Sequence, residues 1–273
     1  MGLLRRLTGG LIGGDSGGPR GTAGARAYAI GDVHGRLDLL DRLLARVEQD
    51  MASRPAKKNY IIFLGDLIDR GPESAGVVER LRSYRPSRAR PVFLAGNHEE
   101  VLLRILGGDA TIIADWLKFG GAECARSYGV DPDALKRVED QEALGMVQAA
   151  VPRAHADFIR NFADTFRFGD YLFVHAGIRP GVAVEEQARP DLRWIREPFL
   201  SDAKEHGFIV VHGHTIVAEV DERPNRIAID TGAYQSGVLT ALAIEDGNRW
   251  MLATEPEANA GRRLGRNVRS AAA

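Results

Sequence analysis

Five times along the chain a short apolar run stops at a turn carrying Asp, Asn or His. The turns are Gly31-Asp32-Val33-His34-Gly35, Gly65-Asp66-Leu67-Ile68-Asp69-Arg70-Gly71, Gly96-Asn97-His98-Glu99, His175-Ala176-Gly177 and His212-Gly213-His214. The runs before them, 27–30, 60–64, 91–95, 171–174 and 208–211, are short and mostly apolar or β-branched, which suits strands buried on both faces. Lying side by side, such strands place their terminal turns in one crevice, where α/β sheets bind ligands. Helical spacing follows the early turns: Leu37, Leu39, Leu40, Leu43, Leu44 and Val47 up to about Met51, then Val77, Val78 and Leu81 within 73–84, then a helix over 98–106. Strand, turn and helix therefore recur as an α/β unit.

From 107 to 170 the pattern changes to short helical segments broken at Gly107-Gly108, Gly120-Gly121, Gly129 and Pro152, with no strand of useful length. This reads as a helical insertion over about 107–168, covering the strand ends and suited to substrate selection. Strand signals return at 226–230, 239–244 and 249–253, with Glu245-Asp246-Gly247-Asn248 as a hairpin turn. The expected organisation is one domain over 26–253 between a flexible Gly-rich leader, 1–25, and a polar tail, 254–273, that carries Arg262, Arg263, Arg266 and Arg269. The leader is no phosphate-cradling loop, since no strand precedes it and no Gly-Lys-Ser/Thr follows.

With 44% hydrophobic and 27% charged residues and a net charge of −1, the chain has the balance of an ordinary globular protein and no general electrostatic affinity for nucleic acid or membranes. The N-terminus carries neither a signal peptide nor a membrane span, and a single cysteine, Cys124, permits no internal disulfide. A cytoplasmic location is the expectation. A cysteine-based phosphatase would need Arg six positions after the thiol, where Val130 stands. Cys124 is therefore expected to be a small buried hydrophobe.

The turns offer carboxylates, an amide and imidazoles, a hard-to-borderline set suited to Mn, Fe or Zn. One buried histidine is ordinarily structural, but five of the seven histidines fall at these turns. Asp32 and His34, two apart on an extended strand end, share a side and can grip one ion. Asp66, with two oxygens, can bridge that ion to a second held by Asn97, His175 and His214. Two divalent ions about 3.5–4 Å apart clamp the attacking and leaving oxygens of an in-line displacement. After subtraction of Asp32, Asp66 and one hydroxide, about one positive charge is left to attract a phosphate, which Arg70 can hold with a planar two-donor fork.

The first three turns resemble the signature motifs of the phosphoprotein phosphatase branch of the calcineurin-like metallophosphoesterases, and Val174-His175-Ala176-Gly177 and His212-Gly213-His214-Thr215 are similar to its two histidine motifs. The resemblance covers about 27–245, with the helical middle matched in position only. It implies an α/β fold, a two-sheet β-sandwich flanked by helices in four layers. It implies two divalent metal ions, Mn foremost, with Asp32 and His34 on the first, Asp66 bridging, and Asn97, His175 and His214 on the second. A metal-bridging hydroxide would attack phosphorus, His98 would protonate the leaving group with Asp69 orienting its ring, and Arg70 would hold the phosphate.

The family's second phosphate-binding Arg is expected at Arg196, with Arg193 close by. His212 reads as structural, and His155 and His206 as surface residues. Asp230 and Tyr234 end a late strand near the site. Tyr234 could reach substrate, and Asp230 suits a turn.

The expected activity is that of a Ser/Thr-type protein phosphatase acting on a phosphoprotein or a small phosphorylated substrate, with neither nucleic acid nor membrane as a partner. The alternative is a symmetrical diadenosine tetraphosphatase, whose second motif commonly lacks an acid where Asp69 stands. An oriented acid helps a phosphoester more, because its alkoxide leaving group is the stronger base. A scaffold with a dead site would be expected to lack a ligand or the acid, and all are present.

Overall fold

The structure, a computed structural model, describes residues 18–255. The expected leader and tail lie outside these residues for 1–17 and 256–273. Of the remaining leader, Gly21 donates from its N–H to the Asp246 carbonyl (2.7 Å) and the Arg20 carbonyl accepts from the Asp170 N–H (2.8 Å).

Two five-stranded mixed sheets form the centre. The first has the order β10-β9-β1-β2-β3, from β1 (Ala25–Ile30), β2 (Lys58–Phe63), β3 (Ala89–Phe93), β9 (Thr240–Glu245) and β10 (Asn248–Ala253). The second has the order β4-β5-β6-β8-β7, from β4 (Thr165–Phe168), β5 (Tyr171–Val174), β6 (Ile209–His212), β7 (Asp221–Glu222) and β8 (Arg226–Ala228). Parallel pairing joins β1 to β2 and β2 to β3 in one sheet, and β5 to β6 and β6 to β8 in the other. The strands expected before the five turns are all present, but they do not share one sheet. Three belong to the first and two to the second. Strand β4 also lies within 107–170, where no strand was expected. Its four residues, Thr-Phe-Arg-Phe, pair antiparallel with β5, and so short a run gains its strand character from that partner.

Side-chain alternation explains the layers. In β1, Ala27 and Ala29 face the second sheet while Tyr28 and Ile30 face helices; in β2, Ile62 faces inward while Ile61 and Phe63 face outward. In β5, Tyr171 and Phe173 join the inter-sheet core while Leu172 and Val174 meet Leu192, Ile195 and Phe199 on the far side. The helices on the first sheet are α1 (Leu37–Ser53), α2 (Ser74–Arg82) and α3 (Asn97–Leu106), and the short helices after α3, through Arg153–Arg160, join the same core. Truncating Phe63 or Phe173, both fully buried, to Ala would cost on the order of 3–5 kcal/mol. The sandwich is thus rigid enough to hold its strand-end turns in uncomfortable shapes. Among the described residues no helix is long and apolar enough to cross a membrane.

Candidate active site

The carboxyl ends of β1, β2 and β3 meet those of β5, β6 and β8, and the backbone there is strained. Of the six non-glycine residues with positive φ among the described residues, five are His34 (45°), Asp66 (49°), Asp69 (68°), Arg70 (66°) and His214 (62°). The left-handed region costs an L-residue roughly 1–2 kcal/mol, and such outliers persist where the surrounding structure over-determines them. The cradle is also tight. A Cβ at Gly213 would strike the Asp32 carboxylate, and one at Gly96 would strike that of Asp66.

Asp66 lies between two groups of donors. Its Oδ2 is 3.6 Å from His34 Nε2 and 3.8 Å from His98 Nε2, while its Oδ1 is 3.4 Å from His175 Nε2. His175 Nε2 and His214 Nδ1 lie 3.0 and 2.9 Å from Asn97 Oδ1. Asp32 accepts from the His214 N–H, at 3.1 and 3.3 Å to its two oxygens. Donor atoms of His34, Asp66 and His98, and those of Asp66, His175 and His214, lie within 4.8 Å of one another.

These residues fit a pair of cations. His34 and His175 use Nδ1 to donate to the carbonyls of Ile68 (2.8 Å) and Leu64 (2.9 Å), the outer hydrogen bond that fixes a ligating imidazole with its Nε2 lone pair free. The buried Nε2 atoms of His34 and His214 have no hydrogen-bond partner, nor has Asp230 Oδ2. Burial pushes the pKa of His34 and His214 down to about 3 and lowers that of His175, so all three are neutral, the state that binds metal. Burial and the carboxylates of Asp230 and Asp66 push Asp32 well above the usual range, and burial takes Asp230 to about 6. Crowded buried carboxyls of this kind lack positive charge, which divalent cations would supply.

Beside the cluster, His98 Nδ1 bonds Asp69 Oδ2 at 2.6 Å. Burial alone would lower the pKa of His98, but the Asp66 charge and the Asp69 hydrogen bond outweigh it and raise the value to about 9. Without metal the ring therefore carries a proton at Nε2, facing the Asp66 side. Asp69 is held in turn: its N–H donates to Ser74 Oγ (2.9 Å), and the Trp116 indole N–H donates to both carboxylate oxygens (3.2 Å each). The Gly120 carbonyl accepts from the Arg70 N–H (2.9 Å). Arg70, Asn97, His98, Arg196 and His214 all line one cavity of about 390 Å³. Arg193 points elsewhere, bonded to Asp164 and Glu100. Tyr234 packs edge-on against His34 (ring centroids 5.4 Å apart), with the Arg70 guanidinium 5.0 Å from its centroid, a place from which it supports Arg70.

Three participants were not assigned roles in the sequence. Glu99 accepts from the N–H groups of Asp66, Leu67 and Gly96 (2.8–2.9 Å), tying the second turn to the third. Its place three residues into α3, where a carboxylate reaches back to the helix start, was a usable signal. Asp230 makes the expected turn, accepting from the Gly232 N–H (2.9 Å), and is in addition buried beside Asp32 at a sixth strand end. Trp116 had no signal, because nothing local places an insertion residue against Asp69. His155, expected on the surface, is buried between the Tyr128 hydroxyl (3.0 Å) and Glu79 (3.1 Å), since its helix packs on α2. His206 is half-buried, and His212 is fully buried against Phe199. Cys124 is buried, as expected, and burial raises its pKa.

The sequence pattern of the calcineurin-like phosphoesterases matches residues 25–237. A symmetrical bis(5'-nucleosyl)-tetraphosphatase from Dechloromonas aromatica is 25% identical, over 80% of this chain and 92% of that protein. The asymmetrical bis(5'-nucleosyl)-tetraphosphatase PrpE of Halalkalibacterium halodurans is 28% identical, over 78% and 87%. A crystal structure provisionally described as a diadenosine tetraphosphatase superposes with a TM-score of 0.59 at 19% identity, covering 85% of this chain and 94% of that one, a likeness of fold.

Proposed function

Since the chain belongs to the calcineurin-like phosphoesterases, we propose that it is a metal-dependent hydrolase of dinucleoside tetraphosphates, cutting the central phosphoanhydride to release two nucleoside diphosphates. The observation that carries the chemistry is the split of the Asp66 carboxylate between two imidazole groups beside a cavity of small-molecule size with arginines in its wall. The substrate class rests on the curated relatives, which are named for tetraphosphates.

Those names overturn the expectation of a Ser/Thr-type protein phosphatase acting on a phosphoprotein. The argument from Asp69 also fails, for a physical reason. The Asp66 charge together with the Asp69 hydrogen bond favours a charged His98, and a cation beside the reacting phosphate neutralises an anionic leaving group as well as it protonates an alkoxide. The residue therefore does not separate the two substrates.

In this reading Asp32, His34 and Asp66 hold one divalent ion, and Asp66, Asn97, His175 and His214 hold the other. The O and N donor set suits Mn, Fe or Zn. When bound, the ions supply Lewis-acid charge and lower the pKa of water. Arg70 and Arg196 orient the phosphate chain, Tyr234 steadies Arg70, and Asp69 fixes the His98 ring at Nδ1. The oxygen of a water that has released one proton to solvent bonds to phosphorus, the anhydride P–O bond breaks with its electron pair on the departing oxygen, that oxygen takes the His98 Nε2 proton, and His98 regains a proton from solvent.

The test is kcat/KM, with Mn added, on diadenosine tetraphosphate, a phosphoserine peptide and an aryl phosphate. The dinucleotide should be preferred by about 10²-fold or more, with ADP as the sole nucleotide product. Equal or faster turnover of the peptide sinks the proposal, and ATP with AMP as products moves the cut off centre.

A further inference from the structure

Three large apolar side chains are exposed among the described residues: Phe119 (68%), Trp194 (41%) and Ile216 (37%). Two of the three, Phe119 and Trp194, line the same cavity as His98, Arg70 and Arg196. They come from segments far apart in sequence, one from the helical insertion and one from the end of the helix Arg189–Trp194. Single exposed apolar residues need no explanation, whereas two aromatics converging on a catalytic cavity do.

Both are placed by specific backbone and side-chain contacts. The helical backbone breaks at Phe119 (φ −98°, ψ 20°) and Gly120 (φ 109°). The Gly120 carbonyl accepts from the Arg70 N–H, and no side chain fits at this position, because a Cβ there would strike Arg70. Trp194 donates from its indole N–H to Glu100 (3.4 Å), which also takes Arg193 (3.1 Å). Its ring is thereby oriented before any ligand arrives.

The cavity is graded in chemistry. Arg70, Asn97 and His98 line it from the strand-end turns, with Arg196 beside them, while Val101, Ile112 and Phe119 line it from the helices, together with the charged Arg104 and Asp115. A molecule with a phosphate chain at one end and a flat apolar group at the other matches that gradient. We propose that Phe119 and Trp194 form a nucleobase subsite, on which one base of the substrate stacks while its phosphates reach the strand-end turns. This rests on the dinucleotide reading and adds the residues that let the site distinguish a nucleotide from a bare phosphate chain. Stacking on an aromatic face tolerates any base, since each has a π-face, so the subsite favours nucleotides as a class without choosing adenine over guanine.

The experiment compares kcat/KM for diadenosine tetraphosphate with that for inorganic tetraphosphate, which has no base, in the wild type, Phe119→Ala, Trp194→Ala, the double variant and Phe119→Tyr. The ratio of dinucleotide to base-free rates should fall about 10- to 100-fold in the double variant, the scale of lost stacking on an aromatic, and Phe119→Tyr should keep it. An unchanged ratio in the double variant, whether both rates fall or neither does, overturns the subsite.

If the wild type cleaves an aryl phosphate but no dinucleotide, the functional reading falls separately. Inhibition of aryl phosphate hydrolysis by ADP, set against pyrophosphate, then decides the subsite: it stands if the double variant weakens ADP alone by about 10-fold, and fails if both inhibitors change together.

Discussion

The strand-end turns and the helical segment after α3 surround the same cavity, yet they are built on opposite principles. The turns concentrate charge, buried carboxyls and imidazoles, and left-handed backbone at His34, Asp66, Asp69, Arg70 and His214. The helical segment contributes a packed apolar body, with Ile113, Trp116, Leu117 and Cys124 in the core, and touches the chemistry at three neighbouring positions. Trp116 holds Asp69, Gly120 holds Arg70, and Phe119 faces the cavity. In the proposed reading the turns carry the groups that act on phosphate. The segment decides how firmly two of those groups are held and what else can enter.

Breaking the turns should have the larger effect. Asp66→Asn replaces a carboxylate reached by imidazoles on both of its oxygens with a neutral amide. Turnover of diadenosine tetraphosphate should fall about 10³-fold or more, since a dimetal clamp contributes several kcal/mol to the transition state. Elemental analysis after dialysis should find fewer than two ions per chain. Full metal content together with full activity would remove Asp66 from the bridging position.

The same contrast governs how much the sequence reveals. Turn residues are legible because strand alternation and glycine punctuation are local signals, and because the donor type states the chemistry. Asp32, His34, Asp66, Asn97, His98, His175 and His214 could be named as a group for that reason. What those local signals leave open is which sheet each strand joins. β5 and β6 sit opposite β1 to β3, and their pairing depends on long-range contacts. Trp116 was silent because a helix-forming stretch with a buried aromatic reads as core packing, which it also is. The burial of His155 and of Asp230 is hidden for a related reason. Each is an ordinary polar residue until a distant element, α2 or β1, buries it.

The insertion's grip is tested by a smaller change. Trp116→Phe keeps an aromatic ring in the core but removes the N–H that donates to Asp69 at 3.2 Å. A hydrogen bond to a charged group is worth about 1.5–3 kcal/mol, so kcat should fall by about 10-fold while KM for diadenosine tetraphosphate changes little. A rise in KM with kcat preserved would mean that the residue shapes the cavity and does not steady the dyad.

The smallest effect separates charge from support without any substrate. In the metal-free protein His98 holds its proton more tightly than in the unfolded chain, about 9 against an ordinary 6.5, because the Asp66 charge and the Asp69 hydrogen bond overcome the burial that lowers it. A histidine raised in this way contributes stability that is fully present below about pH 6.5 and lost as pH rises through about 9. The Tm of the metal-free protein should therefore drop between pH 7 and pH 10, His98 accounting for on the order of 5–10 °C. Asp69→Asn removes the hydrogen-bonded carboxylate and should flatten that part of the slope. Trp116→Phe leaves both carboxylates in place and should keep it, although its Tm is lower at every pH. Matching slopes in the wild type and Asp69→Asn would show that the Asp69 hydrogen bond does not hold the His98 proton, and would leave that role to the Asp66 charge.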